Sequence, residues 1–372
     1  MKINRIELHG VEVPLVGDFK TSYHSKSVQR SIVVRIWSSE GSYGLGNVDP
    51  IPGYSEETTE QSLEALAERF APALLGSDAG NLHRIWMSLS SQGDAFLDAK
   101  AALEMACVDL FARHLGQPVH RLLGGRILDQ VRFNAWIGIL PPEQAAREAM
   151  MWKSQGYRSA KVKVGGDIHA DRERVRAIRE AVGDDFEIRA DANAGYAVDT
   201  AIELTRLLKP FRLQLLEQPV AADDIDGLAA VRAAADGVPI MADESILDHA
   251  SLIDVIRAGA ADIVKLKVMK QGGLINTRRM LETAAAAGLK CVIGHGFGLG
   301  INTMAEIMMA ATSGNVIEGL ECVGPLKTTD DIVTHKLDLS RGTLVVPDRP
   351  GLGVELDPGK LERYSFSRWI ID

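Results

Sequence analysis

The sequence predicts a parallel β/α barrel joined to a smaller α+β unit built from the first third of the chain and its tail. Three observations lead there. From about Val131, short apolar runs alternate with amphipathic segments of about 10 to 15 residues, the texture of strand–helix units around a parallel sheet. Eight such runs follow at regular spacing, which favours closure into a barrel over an open sheet. Ahead of them, residues 1 to about 125 place strand patterns before helical ones, the order of an α+β unit.

Taken in order, residues 3–14 and 31–38 read as strands joined by a polar segment over 17–30. Ser39-Glu40-Gly41 turns the chain into a third strand over 42–48. Helical periodicity follows over 56–75 and 95–115, where Leu97, Ala101, Met105, Val108 and Ala112 keep one apolar stripe until Gly116-Gln117-Pro118 ends it. The barrel strands are expected at 133–138, 160–164, 187–191, 213–217, 240–243, 262–267, 291–294 and 316–321. Helices are expected at 143–155, 170–182, 198–208, 225–235, 250–258, 275–287 and 302–313. After Pro325 the chain returns to loops and strand fragments that rejoin the first unit. The expected domains are thus residues 1–125, completed by about 326–372, and a barrel over 126–325.

Composition narrows the function. At 372 residues with 46% apolar and 24% charged side chains, the chain can bury a full core. A net charge of -9 excludes nucleic acid as the expected partner, because phosphate binding depends on clustered Lys and Arg. Cys107, Cys291 and Cys322 form no CxxC pair and read as buried free thiols of a reducing compartment. The first residues alternate like a strand and carry no signal-peptide core, and no run approaches the roughly 18 apolar residues of a membrane span. A cytoplasmic protein with no membrane partner is expected.

The chemistry is written at the strand ends. Lys161-Val162-Lys163, Asp191, Glu217, Asp243 and Lys267 each close an apolar run, and the steps from Asp191 to Lys267 are 26, 26 and 24 residues, one strand-plus-helix unit apiece. In a parallel barrel, the C-terminal ends of the strands are where distant side chains converge. Side chains on a strand alternate faces, so Lys161 and Lys163 point inward together while Val162 and Val164 meet the helices. Burial and like charge are expected to push both lysines toward the neutral, basic form. Asp191, Glu217 and Asp243 on three neighbouring strands offer hard oxygen ligands, which suit Mg²⁺ better than Zn²⁺, and no HxH or HExxH motif is present. Lys267 on strand six stands roughly opposite strand two, so a substrate held between them meets Lys163 on one face and Lys267 on the other.

This ordered set resembles the enolase superfamily, and within it the muconate-lactonizing (muconate cycloisomerase) subgroup, over essentially the whole chain. The matching pieces are Lys161-Val162-Lys163, Asp191-Ala192-Asn193, Glu217-Gln218-Pro219, Ala242-Asp243-Glu244-Ser245, the run from Lys267 through Lys270 to Gly273, and Glu321 with Gly324-Pro325-Leu326. The resemblance implies a (β/α)7β modified TIM barrel with an α+β capping domain, and a homo-oligomer. It further implies Mg²⁺, with Mn²⁺ as a substitute, on Asp191, Glu217 and Asp243. Lys163 and Lys267 would be the acid/base pair that removes a proton α to a carboxylate through a metal-stabilised enediolate, with Lys161 supporting them.

The substrate side is less fully specified. Glu321 matches a pocket glutamate of the cycloisomerases, Asn193 sits in the loop beyond Asp191, and His24, Lys26 and Tyr54 fall in the capping segments that read substrates in this superfamily. His295 ends strand seven as in the mandelate-racemase branch, but Lys267 stands where that branch has an aspartate. Lys265 is an extra inward lysine. Dipeptide epimerases carry a DxD pair where this chain has Glu321-Cys322-Val323. The expectation is therefore an isomerase of a small carboxylate, cycloisomerase-like on a dicarboxylate. Racemisation or epimerisation of an amino-acid derivative is the second reading and dehydration of a hydroxy acid the third. A barrel that only binds its ligand would not need two bases.

Overall fold

The computed structural model describes residues 1–20, 25–51 and 55–372. Among the described residues the capping sheet has four strands in the order Ser365–Ile371, Ile3–Lys20, Ser25–Ser38 and Tyr43–Val48. The chain's tail pairs antiparallel with its start, Ile6 opposite Ile371, so the last residues complete the first unit. The segment expected to be a polar loop over 17–30 is instead mostly strand: pairing continues through Glu12–Arg30 to Phe19–Lys26, with a register shift after Pro14. Cross-strand pairs such as the Arg30–Glu12 ion pair at 2.9 Å support the ribbon where its sequence is polar, which a hydropathy pattern does not register.

Helix Leu97–His114 lies across this sheet and is buried along nearly its whole length. Two glycines make the contact possible: a Cβ at Gly46 would stand 1.9 Å from the Ala102 carbonyl oxygen, and one at Gly44 2.2 Å from that of Ala106. On its other side the helix reaches the barrel. Glu104 accepts from the backbone N–H groups of Leu274 and Ile275 at 2.8 and 2.9 Å, satisfying the first turn of helix Leu274–Ala286. Helix Leu82–Ser90, N-capped by Asn81, was not foreseen from periodicity.

Seven parallel strands run in chain order around the barrel: Ala135–Ile137, Ser159–Lys163, Glu187–Asp191, Leu215–Glu217, Ile240–Ala242, Ile263–Leu266 and Lys290–Ile293. They alternate with helices Pro142–Ser154, Ile168–Val182, Val198–Leu208, Ile225–Ala234, His249–Ala258, Leu274–Ala286 and Gly300–Ala310. The eighth position closes the ring by bridges alone, Cys291 to Val316 and Phe133 to Leu320. There the Glu318 and Gly319 carbonyls accept from the guanidinium of Arg189 at 2.7 and 2.8 Å. Leu215, Met241, Ile263 and Val292 plug the interior beneath the site. No helix among the described residues is long and apolar enough to cross a membrane.

Candidate active site

Alternation along each strand puts Lys161, Lys163, Arg189, Asp191, Glu217 and Lys265 on the inner face, above the apolar plug. The strands are in register at the level that matters, with Lys163 beside Asp191 and Asp191 beside Glu217. Asp243 and Lys267 follow the ends of strands five and six. Asp191 and Glu217 are 0% exposed and Asp243 1%, so charges here interact with little solvent screening.

Lysines and carboxylates form one lattice. The Lys161 Nζ lies 3.0 Å from Asp191 Oδ2, 3.2 Å from Glu217 Oε2 and 2.6 Å from Glu321 Oε2. Lys265 sits 3.0 Å from Glu217 Oε1, 3.6 Å from Asp243 Oδ2 and 2.5 Å from Glu321 Oε2. Lys163 donates to Asp191 at 2.7 Å and Lys267 to Asp243 at 2.6 and 2.8 Å. The lysine on strand two is the more open of the pair, with 28% of its side chain exposed against 5% for Lys267.

This lattice corrects one expectation. Burial alone would lower the Lys161 pKa, but the Asp191, Glu217 and Glu321 carboxylates override it and hold the ammonium well above its ordinary value. Lys161 is therefore a fixed positive charge, not a neutral base. The carboxylates split by surroundings. Burial opposes the charge on Asp191, yet Lys161 and Lys163 bring its pKa down to about 2. Glu217, buried and facing the Asp191 charge, is pushed up to about 8.

Asn193 lies beside the lysines. Its backbone is left-handed at φ 43°, its Oδ1 accepts from Lys163 Nζ, and its Nδ2 donates to Glu244 at 3.0 Å. His295 follows strand seven, its backbone N–H donating to Glu306 at 2.8 Å. Glu321 is in the centre of the site, but its oxygens face Arg189, Lys161 and Lys265. His24 and Tyr54 lie outside the described residues, as does the side chain of Lys26. Arg189 was missed in the sequence, although its place two residues before Asp191 puts it on the same inward face.

Asp191, Glu217 and Asp243 fit a hard divalent cation by donor chemistry: three buried carboxylates at the ends of consecutive strands, one of them with its pKa raised by burial and by the charge of another. Among the described residues no three such side chains gather around one point, since Lys161 and Lys265 reach in between them.

Residues 144–360 match the family model for the enolase C-terminal domain-like fold, and residues 5–124 match that for the mandelate racemase/muconate lactonizing enzyme N-terminal domain. The chain is 33% identical to N-succinyl-L-Arg/Lys racemase of Bacillus cereus over 100% of both proteins, and the crystal structure of that racemase superposes with a TM-score of 0.95. It is 32% identical to muconate cycloisomerase 1 of Rhodococcus opacus, covering 96% of each. A dipeptide epimerase from Cytophaga hutchinsonii, complexed with Mg and D-Ala-L-Val, is 29% identical over 100% of both chains with a TM-score of 0.93.

Proposed function

Because the chain belongs to the mandelate racemase/muconate lactonizing enzyme family of the enolase superfamily, we propose that it is a Mg²⁺-dependent racemase or epimerase of a small N-acylated amino acid. That it is an isomerase follows from its relatives, which are racemases, epimerases and cycloisomerases. The observation that carries the finer reading is the pair Lys163 and Lys267, on strands two and six, with the carboxylate row of strands three to five between them. Inversion at carbon needs a proton to leave one face and another to arrive on the opposite face. One lysine as a neutral amine accepts the first, and the other as an ammonium supplies the second.

Asp191, Glu217 and Asp243 would hold the Mg²⁺, or Mn²⁺ in its place. The ion would offset the negative charge that develops on the substrate carboxylate as its α-proton leaves. Lys161 and Lys265 stay charged and balance the buried acids around them. Asn193 orients the Lys163 amine. His24, Lys26 and Tyr54 in the capping segments, with His295 past the end of strand seven, would meet the remote part of the substrate.

One feature moves the reading away from the cycloisomerisation expected first. Similarity to the N-succinyl-L-Arg/Lys racemase extends over both whole chains. An N-succinyl amino acid also has two carboxylates, so the expected dicarboxylate character is retained. A dipeptide ammonium is disfavoured, because Glu321 at the eighth position already faces three cations. The test is incubation with Mg²⁺ in D2O and N-succinyl amino acids, dipeptides or cis,cis-muconate, read by mass and chiral chromatography. Deuterium uptake with loss of optical purity in N-succinyl substrates supports the proposal. Lactone from muconate with no exchange in any amino-acid derivative overturns it.

A further inference from the structure

Lys163 is the last residue of its strand, and the turn after it is held by three buried side chains that the proposed chemistry does not use. Asp171, 1% exposed, accepts from the N–H groups of Gly165 and Gly166 at 3.2 and 3.1 Å and from the Tyr196 hydroxyl. The Tyr196 oxygen itself accepts from Gly165 N–H at 2.6 Å. Arg174, paired with Asp171, donates to the carbonyl of Lys163 at 3.2 Å and to that of Leu140 at 2.7 Å. Gly165 adopts φ +128°, and a Cβ there would stand 3.1 Å from the Ala192 carbonyl, so the turn is also seated against the loop after strand three.

That loop carries both Tyr196 and Asn193. It is left-handed at Asn193 and Ala194, φ 43° and 59°, and tied down by Ala194 N–H to the Gln218 carbonyl at 2.8 Å. Lys163 is thus gripped at both ends, its carbonyl by Arg174 and its amine by Asn193. The side-chain hydrogen bonds of Asp171, Arg174 and Tyr196 all end on Lys163 itself or on segments that follow strands one to three. Lys267 has a different holder: its backbone N–H donates to Gln271 Oε1, and Gln271 Nε2 donates to the Ile246 carbonyl at 3.2 Å.

We propose that Asp171, Arg174 and Tyr196 are a positioning clamp for the Lys163 base alone, with Gln271 as the separate support of Lys267. This rests on the two-base reading above, and it adds that each face of the substrate is served by an independently held lysine. Proton transfer is sensitive to placement, and a displacement of about 1 Å can cost roughly 100-fold in rate. Loosening one support therefore slows one face without the other.

The experiment follows α-proton exchange in D2O for N-succinyl-L-arginine and N-succinyl-D-arginine separately. Lys163→Ala and Lys267→Ala assign each enantiomer to its lysine. Asp171→Asn and Tyr196→Phe should lower exchange of the Lys163 enantiomer by about tenfold or more while the other stays within about twofold, and Gln271→Ala should do the reverse. Melting temperatures monitor the fold, and if Asp171→Asn does not fold, Tyr196→Phe, which removes a single oxygen, carries the test. Equal losses for both enantiomers, or none, in variants of a wild type that exchanges both would overturn the clamp and leave the proposed function standing. If the wild type exchanges neither, the same variants are read on the N-acylated amino acid that it does exchange, and a wild type that exchanges none overturns both.

Discussion

Arg189 and Glu321 meet across the barrel interior at 2.9 Å, Nη1 to Oε1, with 0% and 5% of their side chains exposed. The other oxygen of Glu321 takes Lys161 and Lys265, so one carboxylate from the eighth position ties strands two, three and six together. The pair fixes the floor on which the reactive groups stand.

Breaking that pair should destabilise the protein strongly. Arg189→Met or Glu321→Gln leaves buried charge without its partner, a change that costs about 3–5 kcal/mol in comparable cases. The double variant should recover part of the loss. Urea unfolding of the three variants checks this, and single variants within about 0.5 kcal/mol of wild type would show that the pair contributes nothing.

Metal dependence is the second expectation. Asp191→Asn, Glu217→Gln or Asp243→Asn should abolish Mg²⁺ binding by calorimetry together with turnover. Melting temperatures separate lost metal binding from a lost fold: Glu217→Gln removes a carboxylate that burial and Asp191 already push up to about 8, whereas Asp191→Asn and Asp243→Asn also take a partner from Lys163 and Lys267. Full activity in excess EDTA contradicts the assignment.

The lysines should divide the work by face. Lys163→Ala should lose exchange from one enantiomer and Lys267→Ala from the other, as each Nζ approaches from its own side of the carboxylate row. Wild-type exchange of both enantiomers in both variants would remove these residues from the reaction.

The barrel was legible because its signals are periodic: strands of alternating inward charge and outward Val or Ala, and helices opened by Asp167, Asp224 and Asp248. The inward carboxylates and lysines could be read for the same reason. What escaped depended on partners distant in sequence. Glu321 looks like a substrate ligand until Arg189 and Lys265 are placed beside it, 132 and 56 residues away. Lys161 looks like a base until three carboxylates surround it. Residues 17–30 are mostly polar in sequence, so the strand pairing on the described residues there is seen only in the structure.

A further test concerns pH and the joint between cap and barrel. Asp49, just past strand Tyr43–Val48, is 0% exposed and accepts from the Ser31 hydroxyl and from Asn302 Nδ2 at 3.1 Å, the latter on barrel helix Gly300–Ala310. Burial pushes its carboxyl up to about 7, against the opposing hydrogen bonds from Ser31 and Asn302. The unfolded chain releases this proton near 3.9. Between about pH 4 and pH 7 the folded state therefore binds more protons than the unfolded one, so this group's contribution to stability falls as pH rises and levels off above 7. Asp49→Asn reproduces the protonated form at every pH. It should match wild type near pH 4 and exceed it above pH 7 by up to about 4 kcal/mol, since each tenfold difference in proton affinity between the folded and unfolded chain is worth roughly 1.4 kcal/mol. Unfolding free energies of the two proteins at pH 5 and pH 8 measure the difference. A gap that does not widen between those values means that Asp49 is ionised in the folded protein throughout, with the joint held by charge-assisted bonds to Ser31 and Asn302.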